Sequence, residues 1–268
     1  MIGVFDSGVG GLTIIKELFK KLPSYDVMYF ADLARSPYGT KSKKTIEKFA
    51  KEITKFLIGR GAKIIIVACN TASAQAFDSL KKDFNIPIFN VITPAVEEAS
   101  KVTRNKRIGI IGTRGTIQSK VYEKSFKELK KDNFQIFTKA CPLLVPLVEE
   151  NFVYRPETKR ITRFYLRELK DRQIDTLVLG CTHYPLLKKV IDEVMGKKVV
   201  LVDSTKVVER ISSLIEKDKA LGNSLSKNHK YIYFTSDVPN NFKEIAEGFL
   251  GRKTSEPTLI NLENLYEQ

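Results

Sequence analysis

The sequence lacks the features of a membrane or secreted protein. No apolar run approaches the roughly 18–20 residues that cross a bilayer, and the longest runs, such as Ile-Ile-Ile-Val-Ala-Cys at residues 64–69, have the length of a buried strand. The opening Met-Ile-Gly-Val-Phe-Asp has no basic region of the kind that begins a signal peptide. The 3 cysteines are few and odd in number, which argues against a disulfide framework. We therefore expect a cytoplasmic protein with no membrane contact.

The sequence also has fewer acidic than basic residues. The 268 residues include 31 Asp and Glu against 45 Lys and Arg, a formal net charge of +14. Such a balance can indicate a nucleic-acid partner. The lysines, however, are spread over helix-like segments without a helix-turn-helix, zinc-finger or aromatic RNA-binding motif. We interpret the charge as a solvated, lysine-rich surface, and a basic nucleic-acid-binding protein stays as the alternative from a different functional class.

The order of apolar runs predicts the fold class. Hydrophobic residues make up 43% of the chain and charged residues 28%, which excludes disorder, a collagen-like repeat or a coiled coil for the whole chain. The length allows one large domain or two compact ones. Strands are predicted at residues 2–5, 27–30, 64–68 and 88–92, and helices at 12–19, 45–59 and 72–84. Continuous apolar strands are typical of a parallel sheet covered on both faces, so the chain predicts a doubly wound α/β fold.

The pattern then starts again. Residues 107–113 (RIGIIGT) mirror residues 2–7 (IGVFDS), and residues 176–182 (TLVLGCT) mirror residues 65–71 (IIVACNT) at nearly the same offset. This repetition predicts two similar doubly wound domains with mainly parallel sheets, related by a pseudo-two-fold axis, with the active site in the cleft between them. A polar loop at 218–230, a strand at 231–234 and a helix at 240–249 are expected to complete the first domain. The predicted domains are residues 1–93 with about 207–268, and about 94–206.

Two cysteines follow predicted strands at equivalent places in the two halves. Cys69 and Cys181 each lie at the carboxyl end of a strand, the edge at which open α/β sheets bind ligands. If helices begin at the turns that follow, their free N–H groups lower a thiol pKa from about 8.5 toward neutrality. One such cysteine would be a small core residue, but its repetition favours chemistry. Cys141 has no such setting and is expected to be structural.

The two histidines differ in the same way. His183 lies two residues after Cys181, where it can tune a thiol or transfer protons near neutral pH. His229 lies in a charged loop and needs no function. A Cys-x-His pair offers only two ligands, and the chain has no CxxC or HxxxH pattern to complete a zinc site. We therefore predict no metal.

A glycine-rich turn connects the first strand and helix. Its sequence at residues 6–11 lacks the third glycine of a dinucleotide loop, where Thr13 stands, and no Gly-Lys-Ser/Thr follows for a P-loop. What remains is an acid, Asp6, and a hydroxyl, Ser7, at the same sheet edge as Cys69. Asp6 either orients an ammonium group or assists proton transfer, or it caps the helix. The loop at residues 36–40 either presents N–H groups to a carboxylate or is a simple turn.

Together these motifs resemble the glutamate racemase family. The matching blocks are Asp-Ser-Gly-Val-Gly-Gly at 6–11, Pro-Tyr-Gly at 37–39, Ala-Cys-Asn-Thr-Ala-Ser at 68–73 and Gly-Cys-Thr-His-Tyr-Pro at 180–185. The segment Val-Pro-Leu-Val-Glu-Glu at 145–150 is similar to that family's acidic segment, and we assign the acidic helper to Glu150 in preference to Glu149. An aspartate or hydantoin racemase would share the cysteine motifs, but the blocks at 6–11 and 37–39 favour the glutamate branch.

The resemblance implies a racemase that needs no cofactor, interconverts L- and D-glutamate, and supplies D-glutamate for peptidoglycan. Cys69 would deprotonate D-glutamate and Cys181 would deprotonate L-glutamate, with Asp6, His183 and Glu150 assisting. The residues implied in substrate binding are Asp6, Ser7, Pro37, Tyr38, Gly39, Asn70, Thr71, Thr182 and His183. The resemblance is compatible with a homodimer but fixes no dimer arrangement.

Overall fold

The structure is a computed structural model that describes residues 1–129, 133–238 and 242–262. The described residues form ten strands: β1 (Ile2–Asp6), β2 (Val27–Ala31), β3 (Ile64–Val67), β4 (Ile88–Asn90), β5 (Arg107–Gly112), β6 (Gln135–Ala140), β7 (Thr176–Gly180), β8 (Val200–Val202), β9 (Tyr231–Thr235) and β10 (Thr258–Leu259). The α-helices in the same ranges are α1 (Leu12–Lys21), α2 (Lys43–Gly59), α3 (Asn70–Asp83), α4 (Ile92–Val102), α5 (Arg114–Gln118), α6 (Val121–Glu128), α7 (Leu144–Glu149), α8 (Pro156–Asp171), α9 (Lys188–Met195), α10 (Val207–Lys217), α11 (Lys219–Ser224) and α12 (Phe242–Leu250). Short 3₁₀ helices cover Leu33–Arg35, Tyr38–Thr40, Tyr184–Leu187 and Ser204–Lys206.

The strands form two parallel sheets with the same internal order. The first sheet has the order β10-β9-β2-β1-β3-β4, and the second has the order β6-β5-β7-β8. The second sheet therefore repeats the arrangement β2-β1-β3-β4 of the first. In each half the chain changes direction across the sheet between two neighbouring strands, β1 and β3 or β5 and β7, and such a switch point is where open α/β sheets bind ligands. The prediction of two similar parallel α/β units is confirmed.

Strand β3 is apolar throughout because both faces of the first sheet are covered at this position. In β3, Ile64 and Ile66 enter the hydrophobic cluster that contains α1, α10 and α12, whereas Ile65 and Val67 face the cluster of α2 and α3. Each aliphatic side chain buried in this way contributes about 1.5–3 kcal/mol. The helices supply the matching face: Ile46, Ala50, Ile53 and Leu57 recur at helical spacing on the buried side of α2.

Capping residues move several element boundaries from their predicted places. The strand expected to reach Ile92 ends at Asn90, because the Asn90 side chain accepts hydrogen bonds from the N–H groups of Ile92 and Thr93 and so begins α4. The helix expected from residue 72 begins at Asn70, with Cys69 as its N-cap.

The tail joins the first sheet through β9, which pairs with β2 in parallel register from Tyr231 opposite Val27 to Thr235 opposite Ala31. The expectation of a loop throughout residues 218–230 is wrong, because α11 lies within it and the Asp218 side chain caps the Leu221 N–H at 2.9 Å. Helix α12 begins at Phe242, and the first two residues of the helix predicted at 240–249 lie outside the described ranges. None of the helices within those ranges combines the length and apolar composition that a membrane span needs.

Candidate active site

The carboxyl ends of the central strands of both sheets line one small cavity. Its volume is about 30 Å³, room for only a few waters. The lining side chains come from the turns after β1, β3, β5 and β7, from the loop after β2, and from α7. They are Ser7, Ser36, Pro37, Tyr38, Gly39, Cys69, Asn70, Thr71, Thr113, Val145, Glu149, Cys181, Thr182 and His183. The structure thus brings both cysteines to one small space between the two sheets.

A larger pocket adjoins this cavity on its outer side. It has a volume of about 540 Å³, and six residues line both it and the inner cavity: Ser36, Pro37, Gly39, Thr113, Val145 and Glu149. These shared residues form the neck between the two spaces.

Cys69 lies at the amino end of α3, where its sulphur accepts a hydrogen bond from the Ala72 N–H at 3.5 Å and its thiol donates to Ser7 Oγ at 3.4 Å. Complete burial, together with the Asp6 carboxylate nearby, raises the pKa of Cys69 to about 12. The expectation that the helix start lowers this pKa is therefore wrong for Cys69, because desolvation and a like charge outweigh the N–H donors. In the ligand-free protein Cys69 is a neutral thiol.

Asp6, at the end of β1, holds the glycine-rich turn in place. Its Oδ2 accepts hydrogen bonds from the N–H groups of Gly8 at 3.3 Å and Gly11 at 3.0 Å, and the Thr182 hydroxyl lies 3.5 Å from both carboxylate oxygens. Burial raises the pKa of Asp6 above its usual range, against the opposing effects of the His183 charge and the N–H donors. Asp6 therefore organises the turn and also presents an ionisable group between the two halves.

Cys181 belongs to a chain of three side chains. Its Sγ lies 3.8 Å from His183 Nδ1, and His183 Nε2 lies 3.0 Å from Glu149 Oε1. Burial alone would lower the pKa of His183, but its hydrogen bonds to Cys181 and Glu149 outweigh burial and raise that pKa to about 10. The ring is therefore an imidazolium at neutral pH, and a positive charge at this distance stabilises negative charge on the sulphur.

The acidic partner of His183 is Glu149 and not the Glu150 that we assigned from the sequence. α7 ends at Glu149, whose carboxylate faces the imidazole, whereas Glu150 follows the last turn and is exposed. Successive residues on a helix point about 100° apart, so only one of two adjacent carboxylates can face the site.

Asn70 and Thr71 hold the two halves together. The Asn70 amide accepts from the Tyr122 hydroxyl at 2.8 Å and donates to Ser204 Oγ at 3.0 Å, which uses one of its two N–H donors. The Thr71 hydroxyl lies 2.9 Å from that of Thr113 and 3.2 Å from that of Thr116.

Sequence reasoning missed this threonine cluster. One signal was available, because Thr113 follows β5 in the duplicated turn just as Ser7 follows β1. Thr116 and Tyr122 carry no comparable signal.

The loop after β2 lines the cavity with four consecutive residues, 36–39. Tyr38 is buried, and its hydroxyl donates to the Asp32 carboxylate, away from the cavity. Gly39 packs so closely on Thr113 that an added Cβ would lie 2.8 Å from the threonine Cβ. Pro37 and Gly39 therefore form part of the neck.

The remaining candidates lie outside the cavity. Cys141 is fully buried, burial raises its pKa to about 12, and it contributes no atom to the cavity lining. His229 is exposed and contacts the Pro23 carbonyl at 3.1 Å. Within the described ranges no group of three or more His, Cys, Asp or Glu side chains is arranged to hold a metal ion.

Comparison with known proteins assigns the chain to a family. The family model for Asp/Glu/Hydantoin racemase matches residues 6–210. The chain is 46% identical over 262 residues to the glutamate racemase of Geobacter metallireducens, a match that covers 98% of this chain and 97% of that protein.

Solved structures give the same result. The glutamate racemase isoform RacE1 of Bacillus anthracis superposes with a TM-score of 0.91 at 36% identity, covering 98% of this chain and 97% of that one. The glutamate racemase of Francisella tularensis in complex with D-glutamate gives 0.90 at 38% identity, covering 98% of both chains. This chain therefore belongs to the Asp/Glu/hydantoin racemase family.

Proposed function

We propose that this chain interconverts L-glutamate and D-glutamate by proton transfer at Cα, with Cys69 and Cys181 as the two acid–base groups. The observation that carries the proposal is the convergence of two thiols, from equivalent turns of the two halves, on one small cavity. Inversion of a stereocentre by proton transfer needs a base on one face of the carbon and an acid on the other. Two thiols, one from each half of the chain, can supply both.

The surroundings of the two cysteines support a starting state for the reaction. Cys69 is a neutral thiol that can give a proton, whereas the Cys181 sulphur lies 3.8 Å from Nδ1 of the His183 ring. In the direction from L- to D-glutamate, the Cys181 thiolate takes the Cα proton and the Cys69 thiol delivers a proton to the opposite face. The roles reverse for D-glutamate. The chain itself supplies both proton-transfer groups, so the proposal invokes no cofactor.

The buried polar side chains of the cavity support the chemistry that a weakly acidic Cα–H requires. Hydrogen-bond donors directed at the substrate carboxylate stabilise the charge that develops in the transition state, most strongly where water is excluded. The free N–H of the Asn70 amide and the hydroxyls of Thr71 and Thr182 are the candidate donors. Because the cavity holds only a few waters, it must widen to admit an amino acid.

The biological role that we propose follows the resemblance to glutamate racemases: D-glutamate supply for peptidoglycan in the cytoplasm. All three cysteines are free thiols, as in proteins of a reducing compartment.

The test is proton NMR of the purified protein with D-glutamate in D₂O, without added pyridoxal phosphate, followed by chiral analysis. We expect loss of the Cα–H signal together with formation of L-glutamate. Cys69→Ser and Cys181→Ser should each lower the rate of racemisation by about 10²–10⁴-fold. Cys141→Ser is the matched control, because it removes a buried thiol that lies outside the cavity, and it should keep a rate close to wild type.

Three outcomes contradict parts of the proposal. Reaction of D-aspartate in place of D-glutamate would contradict the substrate. Full activity in either cysteine variant would contradict the two-thiol mechanism. Failure of every amino acid tested would contradict the activity itself.

A further inference from the structure

The imidazole of His183 is enclosed on four sides. Cys181 and Glu149 contact its two nitrogens, and Gly10 lies so close that an added Cβ would be 2.6 Å from Nδ1. The fourth side is the ring of Phe249, whose centroid lies 5.7 Å from that of the imidazole at an interplanar angle of 89°. This aromatic contact comes from α12, a helix with no residue in the cavity lining.

We propose that Phe249 is a positioning residue that fixes the ring orientation of His183, so that α12 forms part of the proton-transfer apparatus. The proposal rests on the proposed function, in which His183 assists Cys181. Phe249 follows every motif identified in the sequence, the last of which ends at residue 185.

A histidine ring needs such support because the torsion about its Cβ–Cγ bond is broad. The ring must nevertheless direct one nitrogen at Cys181 and the other at Glu149 at the same time. A perpendicular arrangement of two rings is a favoured aromatic geometry, and an aromatic ring also attracts a cation such as imidazolium. The Phe249 ring therefore opposes rotation of His183 away from its two partners.

Phe249 is itself held firmly. It is buried, and the Lys16 side chain of α1 donates a hydrogen bond to its carbonyl at 3.3 Å. α12 packs along α1, the helix that follows the glycine-rich turn carrying Gly10. The same helix pair thus supports the imidazole from two directions.

The chain offers a matched control on the same helix. Phe242 is also buried, belongs to the same hydrophobic cluster, and lies at the other end of α12. Phe249→Leu and Phe242→Leu remove the same ring from equally buried places, but only the first removes the contact with His183.

The primary measurement is an NMR titration of histidine side chains in the full chain labelled with ¹⁵N. The chain has only 2 histidines, and exposed His229 is the internal reference. The titratable groups that face His183 are Cys181, Glu149 and Asp6, and neither variant changes them. A ring that loses its alignment forms weaker hydrogen bonds, so we expect Phe249→Leu to lower the His183 titration midpoint by about one pH unit. Phe242→Leu should leave the midpoint unchanged.

The second measurement is the pH profile of kcat/KM for glutamate. Phe249→Leu should lower kcat/KM about tenfold and move the alkaline limb to lower pH, whereas Phe242→Leu should do neither. An unchanged His183 midpoint in Phe249→Leu, or equal shifts in both variants, would overturn the proposal. If Phe249→Leu does not fold, Phe249→Met carries the same test. The NMR result stands even if the wild type racemises no glutamate, so the two proposals fail separately.

Discussion

Adding a single Cβ atom at Gly10 tests whether the positions of Thr182 and His183 matter for activity. A Cβ added to Gly10 would lie 2.3 Å from Thr182 Oγ1 and 2.6 Å from His183 Nδ1, whereas ordinary contacts begin near 3.4 Å. Both groups would therefore have to retreat by about 1 Å, and a displacement of this size costs about 100-fold in rate, or about 2.7 kcal/mol. Gly10→Ala should accordingly lower kcat/KM for glutamate about 100-fold, because His183 cannot retreat and also keep both hydrogen bonds.

The control lies two residues away in the same turn. A Cβ on Gly8 would lie 3.7 Å from Ser36 Oγ and 3.8 Å from Leu33 Cδ2, which are ordinary contacts. Gly8→Ala keeps the N–H that Asp6 accepts, and it should retain nearly full activity and stability. The measurements are initial rates of racemisation, by chiral chromatography, and thermal melts of both variants. Activity of Gly10→Ala close to wild type, or an equal loss in Gly8→Ala, would refute the steric reasoning.

Two further predictions concern the hydrogen bonds around the cavity. Glu149→Gln removes the carboxylate that helps to hold the pKa of His183 at about 10, so that pKa falls and the alkaline limb of the pH–rate profile should move to lower pH. Glu150→Gln, the exposed neighbour, should leave the profile unchanged, and equal profiles for the two variants would contradict the assignment. Tyr122→Phe leaves the buried Asn70 carbonyl oxygen without its donor, which should lower the free energy of unfolding in urea by about 1–3 kcal/mol. An unchanged urea midpoint would show that water replaces the hydroxyl.

The strands were predictable because burial on both faces requires a continuous run of apolar residues, which is visible in the local sequence. Ile64, Ile65 and Ile66 face alternate sides of the sheet and are all apolar, whereas a strand with one face in water would alternate apolar and polar residues. Helix α11 has no comparable apolar pattern. Its six residues bury only Gly222, so no apolar periodicity distinguishes them from a loop, and the Asp218 cap is a signal that turns also use. Local pattern thus predicts elements that bury a face and misses those that do not.

The duplication predicted the pair of cysteines, but not the difference between them. Cys69 and Cys181 follow equivalent strands, yet Cys69 lies beside the Asp6 carboxylate and Cys181 beside an imidazolium. Residues distant in the chain create that difference: Asp6 comes from β1, and Glu149 from the last turn of α7. Glu149 and Glu150 are adjacent in the sequence, but their side chains point in directions about 100° apart. Only the packing of α7 determines which of the two faces His183. A sequence repeat therefore predicts where two acid–base groups meet, whereas their protonation depends on contacts between segments that the repeat does not relate.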